Sequence, residues 1–372
     1  MKFVELARLF LDSDDFSGTV RQNESLSKHT TMNVGGNAKL FLEPENEDSL
    51  IFAIKLLKSD LCPVKSLFIL GGGSNVVISD KGLDFVLSTR KLNSIKTEST
   101  NFTNGTRLEI SAGAVWGSVI SFCKKNNLSG FEAFTGLSGT VGGALFMNAS
   151  CFGLSASDKL ISVRYLDLKD FQIHEYTKKD SDWSYKKSPF QSDDTGGVAG
   201  VRAQPVASRL AKNSPREFLP CFAVPLPTPQ RGERATQEAK LPACERGERL
   251  LPFIILSAKF TVSNGFDAEF SEKCIASRKE KGHFLAPSSG SAFKNDSENG
   301  IVAGKVIDEC GLKGFSVGGA QIASWHGNFI INPERKATAS DIKKLSDEVK
   351  KIVFEKKGIR LENEILFIGE DF

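Results

Sequence analysis

The sequence predicts a mixed α+β fold in more than one domain, on three observations. The chain has 372 residues, enough for two or three domains of typical size. Short apolar runs bounded by turn residues occur along the same chain as amphipathic stretches of helical period. Two glycine-rich loops, at residues 71–75 and 135–143, each follow apolar sequence. The first leads into another apolar run, 76–78. A doubly wound dinucleotide fold opens a helix after its glycines, and a P-loop continues into Gly-Lys-Ser/Thr. This loop does neither, so the doubly wound class is set aside.

Composition narrows the partners. Hydrophobic residues make up 40% and charged residues 25%, and the net charge of +3 is too balanced for a nucleic-acid surface. Seven cysteines lack any C-x-x-C spacing, which reads as reduced thiols rather than a disulfide frame or a metal site. Glu5 and Arg8 interrupt the apolar residues at 1–11, so this stretch reads as an amphipathic helix and not a secretion signal. No apolar run reaches bilayer length. The expectation is a cytoplasmic protein, monomeric or weakly oligomeric, with no membrane or nucleic-acid partner.

In chain order, the run 38–42 after Gly35-Gly36 reads as a strand. Residues 48–58 carry Leu50, Ile51, Ile54 and Leu57 at helical spacing. Strands follow at 66–70, 76–78 and 108–114, then a helix at 118–125 with Val119, Ile120 and Cys123 on one face. A short strand is expected at 253–256 and a helix at 301–310, with Val302, Val306 and Ile307 inward and Gly311 as terminator. A last helix spans 340–357, ended by Gly358, and a final strand spans 361–368.

Chemistry concentrates in the two loops. Glycines let main-chain N–H groups approach a ligand, and consecutive free N–H groups form a nest for anions such as phosphate. Two such loops suit a ligand with two phosphates. The candidates are Gly71, Gly72, Gly73, Ser74 and Asn75 in the first, and Thr135, Gly136, Ser138, Gly139, Thr140, Gly142, Gly143, Asn148 and Gly153 in and after the second. Glu364 lies directly before a fully apolar run, where a carboxylate is costly unless paired or protonated.

The segments HTTMNVGGNAKLFLEP (29–44), LGGGSNVVISD (70–80) and FEAFTGLSGTVGGALFMNAS (131–150) together resemble the UDP-N-acetylenolpyruvoylglucosamine reductases. Three motifs downstream agree. The resemblance implies an FAD-binding domain of the vanillyl-alcohol-oxidase type in two subdomains and a smaller α+β substrate-binding domain. It places the FAD-binding region at 1–195 with a return strand at 253–268, the substrate domain at 269–357, and a C-terminal strand segment at 358–372. The implied reaction is reduction of an enolpyruvyl UDP-sugar in peptidoglycan precursor synthesis, with FAD and NADPH.

The resemblance also assigns residues. The family's Tyr-Arg-x-Ser corresponds to Tyr185-Lys186-Lys187-Ser188, so lysine stands where the family has its active-site arginine. Lysine keeps the charge and loses the bidentate fork. In the stretch 281–295, Lys281 and the Gly-Ser-x-Phe-Lys-Asn core are present, while Gly282 and His283 replace Gln-Pro. The resemblance makes Ser291 the proton donor and Glu364 the catalytic glutamate, which shares with Lys186 the stabilisation of the enolate-like intermediate. It also makes Tyr185, Lys281, Asn295, Lys313 and His326 substrate contacts. Read without it, Ser291 suits a turn, Lys186 a solvated surface, and His326 a hydrogen-bonded structural histidine.

Residues 196–252 depart from the family pattern. Eight of thirteen prolines fall there and Arg-Gly-Glu-Arg occurs twice, so the segment reads as an insertion without long regular elements. Two other readings stay open: an FAD oxidase or dehydrogenase of a sugar or alcohol, and a flavin- or UDP-sugar-binding protein with weakened catalysis.

Overall fold

The computed structural model describes residues 3–59, 67–98, 106–191, 204–205, 253–370 and 372. The insertion predicted over 196–252 lies outside the described residues, apart from the strand Gln204–Pro205.

The N-terminal part is a four-stranded sheet of Gly18–Ser25, Asn37–Pro44, Leu83–Ser88 and Leu67–Leu70, in that spatial order. The first pair is antiparallel and the other two are parallel. The helices Phe3–Leu11 and Glu47–Leu57 bury Leu6, Phe10, Leu50 and Ile54 with Leu40, Leu42 and Leu87 in one core. The Asn46 side chain accepts from Ser49 N–H at 2.8 Å and so starts the second helix.

A larger antiparallel sheet follows. Its main path runs Ile173–Thr177, Leu160–Asp167, Phe253–Asn264, Thr106–Ser111 and Ile95–Glu98. The strand expected at 253–256 extends to Asn264 because Ala258, Phe260 and Val262 alternate into the core. Trp116, Phe131 and Phe134 fill that core together.

The third part packs the helices Ala303–Glu309 and Ala339–Lys357 with the sheet Ser288–Ser291, Phe329–Ile331, Ala320–Ile322 and Ser316–Val317. Thr338 and Asp341 form a capping box and Gly358 closes the long helix at φ 69°. Val302, expected inward, is 53% exposed, because it precedes the helix as its N-cap residue.

The C-terminal segment returns to the first part. Leu366–Ile368 pairs in parallel with Val76–Ile78, the strand directly after the first glycine loop. The strand expected over 361–368 is confined to those three residues, and Glu364 lies in a bend before it. Asp80 also reaches across, accepting from the Ala339 and Ser340 N–H groups at 2.8 and 3.0 Å. Cys123, Cys151, Cys274 and Cys310 are free thiols. No helix among the described residues is long and apolar enough to cross a membrane.

Candidate active site

The two glycine loops meet. A Cβ on Gly72 would lie 2.5 Å from Gly139 Cα, and one on Gly73, at φ +62°, would collide with the His29 carbonyl oxygen. Only glycine allows this main-chain contact. Ser74 Oγ ties the loops by donating to the Ser138 carbonyl at 3.3 Å. The second loop turns into the short helix Val141–Phe146, where the Thr140 hydroxyl accepts from Gly143 N–H.

These loops form one wall of a cavity of about 1740 Å³, well beyond the roughly 300–1,000 Å³ of a single small-ligand pocket. Gly71 to Asn75, Gly136, Ser138, Gly139, Thr140, Gly142, Gly143 and Gly153 all line it, as do Tyr185, Lys186, Lys281, Ser291, Asn295 and Glu364. Residues from both ends of the chain, Thr31 and Phe372 among them, are thereby brought to one space. Three buried polar atoms on its lining, Thr31 Oγ1, Arg278 Nη2 and Ser289 Oγ, have no hydrogen-bond partner among the described residues. Buried polar atoms are nearly always satisfied, so a polar ligand fits this lining. A glycine cradle, orphaned donors and space for two ligands suit FAD beside a nucleotide-sugar.

The Lys186 ammonium stands 2.6 Å from Glu364 Oε1, with side chains only 11% and 14% exposed. The pairing excludes the solvated-surface reading of Lys186. It also meets the condition the apolar run at 365–368 imposes on a carboxylate. Lys186 adopts φ +58°, a left-handed conformation that non-glycine residues hold at a cost. Three side chains fasten its turn: Asn148 Nδ2 donates to the Ser184 carbonyl at 2.8 Å, Gln191 Nε2 to the Lys186 carbonyl at 3.2 Å, and Ser188 Oγ to the Phe146 carbonyl at 2.8 Å. The Tyr185 ring lies 5.6 Å below the ammonium.

Ser291 ends the strand Ser288–Ser291, opposite Phe329, and is a strand residue rather than a turn former. The following residues are clamped by Asn328. Its Oδ1 accepts from Phe293 N–H at 2.9 Å, its Nδ2 donates to the Phe293 carbonyl at 2.8 Å, and its carbonyl accepts from Ala292 N–H. Asn295 faces the rim while its Oδ1 accepts from Ala303 N–H at 3.0 Å.

Four predicted residues do not line the cavity. The Thr135 hydroxyl is engaged by the Glu132 carbonyl and Ser271, and Asn148 supports the Lys186 turn. Lys313 pairs with Asp308 at 2.7 Å. His326 stacks on Phe329 at 4.0 Å and accepts from Asn328 N–H through Nδ1.

Arg278 lines the cavity and was not singled out from the sequence. It is 6% exposed. Its Nε donates to the Thr135 carbonyl at 2.9 Å, and its guanidinium lies 5.3 Å over the Phe152 ring. Burial pushes the neighbouring Cys151 thiol up to about 11 despite this cation, so the thiol supplies no counter-charge. No carboxylate pairs with Arg278 among the described residues, and a buried cation without a partner is costly. An anionic ligand group answers that cost. Its helix, Ala268–Glu280, turns Ser271, Cys274 and Arg278 inward; with so polar a face, hydrophobic periodicity cannot reveal it. The 3–4 spacing of those three residues is the signal that was present.

Residues 38–175 match the model of an FAD binding domain, and residues 281–368 match the UDP-N-acetylenolpyruvoylglucosamine reductase C-terminal domain. The UDP-N-acetylenolpyruvoylglucosamine reductase of Treponema denticola is 36% identical over 361 residues, covering 95% of this chain and 94% of that protein. The same-named protein of Borreliella burgdorferi is 33% identical, with 94% of each chain covered. The crystal structure of the Thermus caldophilus enzyme shares the fold at a TM-score of 0.61 and 24% identity, over 95% of this chain and 100% of that one. Identity at this level along nearly the whole chain places it in the UDP-N-acetylenolpyruvoylglucosamine reductase family.

Proposed function

We propose that this chain is an NADPH-dependent flavoenzyme that reduces UDP-N-acetylglucosamine enolpyruvate to UDP-N-acetylmuramate, a cytoplasmic step in peptidoglycan precursor synthesis. The observation that carries the reading is the Lys186–Glu364 pair at 2.6 Å, in the same cavity as the glycine cradle and Ser291. FAD held by the glycine loops at 71–75 and 136–143 would supply the hydride chemistry, with NADPH as the source and the substrate's vinyl carbon as the acceptor.

The remaining work falls to side chains. Hydride addition pushes negative charge onto the substrate carboxylate, as in an enolate. The Lys186 ammonium, already held in place by the Glu364 carboxylate, stabilises that charge without reorganising. Ser291 then gives a proton to the alpha carbon. Lysine in place of the family's arginine serves because its ammonium needs only one contact and Glu364 fixes its position. Arg278 and Lys281 meet anionic groups of the ligands. Tyr185 and Asn295 line the substrate side, and the glycine loops hold the cofactor. The FAD-binding region takes 1–195 and 253–268, the substrate domain 269–357, and the segment 358–372 carries Glu364 back between them.

The test is NADPH oxidation by flavin-loaded protein with and without UDP-N-acetylglucosamine enolpyruvate. Substrate-dependent oxidation is expected. Flavin reduction with no substrate turnover would overturn the proposal and leave the FAD oxidase or dehydrogenase and the weakened binder.

A further inference from the structure

We infer that Asn75 is a positioning residue for Glu364, so that the glycine loop that cradles the cofactor also sets the geometry of the Glu364 carboxylate. The inference rests on the reductase reading above. Asn75 lines the cavity, and from sequence alone it belongs with the cofactor contacts. Its side chain has other work. Nδ2 donates to the Glu364 carbonyl at 3.1 Å, and the Asn75 carbonyl accepts from Leu366 N–H at 3.0 Å. One asparagine therefore grips the main chain on both sides of Ile365.

Glu364 depends on such grips because neither helix nor strand holds it. The long helix ends at Gly358 and the last strand begins at Leu366. Three tethers converge on this bend from distant parts of the chain. Asn75 holds its carbonyl. The Ala292 carbonyl, next to Ser291, accepts its N–H at 2.8 Å. Lys186 holds its carboxylate. The tethers come from the cofactor loop, the proton-donor strand and the cationic turn, so the bend registers all three against one another. Of the three, Asn75 alone supplies a side-chain donor to the main chain of Glu364. An ionised aspartate there would turn an acceptor toward an acceptor carbonyl; alanine would leave the carbonyl without that donor.

The experiment uses flavin-loaded wild type, Asn75→Ala, Asn75→Asp, Glu364→Gln and the Asn75→Ala/Glu364→Gln double variant. Stopped-flow absorbance follows flavin reduction by NADPH and flavin reoxidation by UDP-N-acetylglucosamine enolpyruvate separately. Reoxidation in Asn75→Ala is expected to fall about 10- to 100-fold, the range for a displaced catalytic group. Flavin reduction should fall by a much smaller factor. In the double variant, reoxidation should be no slower than in Glu364→Gln, because Asn75 acts through that residue. Asn75→Asp keeps the side-chain volume, and it carries the test if the alanine variant fails to fold. Its reoxidation rate relative to wild type should rise as pH is lowered, since a protonated carboxyl donates again.

Flavin lost on purification, equal slowing of both half-reactions, or full additivity in the double variant would each overturn the inference and return Asn75 to the cofactor contacts. Absence of substrate-driven reoxidation in wild type would instead overturn the reductase reading, and this inference with it.

Discussion

Breaking the Lys186–Glu364 pair tests the centre of the site. At 2.6 Å and an effective dielectric of about 20, the gross attraction is about 6 kcal/mol. Relaxation of the freed partner and screening reduce this for side chains 11% and 14% exposed, so the coupling should be about 2–3 kcal/mol, near the low end for close charge pairs. Lys186→Met leaves Glu364 unpaired and should cost about 3 kcal/mol. Glu364→Gln leaves the ammonium without its counter-charge and should cost somewhat less, because a longer side chain can turn toward the cavity water. The double variant Lys186→Met/Glu364→Gln removes both charges, and the cycle isolates the pair. Urea midpoints of the four flavin-loaded proteins at pH 8 give the coupling. A value below about 0.5 kcal/mol, typical of an exposed pair, would refute the reasoning. It would mean that the side chains separate in solution and that Lys186 is not held for catalysis.

Three further outcomes follow from the same geometry. Lys186→Met should slow substrate-driven flavin reoxidation about 10²–10³-fold, the scale of a lost oxyanion donor, and stopped-flow absorbance reads it directly. Gly73→Ala should cost about 2 kcal/mol or more and lower flavin content, because its Cβ meets the His29 carbonyl; Gly153→Ala, with φ +80° and open space around its Cβ, should cost only about 1 kcal/mol. Burial first, then the nearby positive charges of Arg278 and Lys281, depresses the His283 imidazole to about 4. The unfolded chain therefore binds more protons between its ordinary value of 6.5 and about 4. The stabilising contribution is complete above that window and is lost as pH falls through it. His283→Gln should flatten the decline of the urea midpoint across those pH values.

Local pattern made much of this protein legible in its sequence. Leu50, Ile54 and Leu57 mark a helix, and Gly358 ends another, because amphipathic period and left-handed caps are properties of neighbouring residues. The two glycine loops were legible for the same reason: a nest is a local main-chain geometry. The departure at Lys186 was legible against the family motif. What local pattern does not carry is which distant groups meet. The strand expected over 361–368 shortened to Leu366–Ile368 because Asn75 and Ala292 claim the main-chain groups near Glu364. His326 and Lys313 found other partners, Phe329 with Asn328 and Asp308, and stand off the cavity. Arg278 stayed hidden because its helix turns a polar face inward, and only the fold shows that this face lines a cavity. The sequence by itself determined most of the elements, the two glycine-rich loops and the family resemblance. Tertiary structure alone decided that Lys186, Ser291, Arg278 and Glu364 share one cavity, because burial and charge pairing are set by residues far apart in the chain.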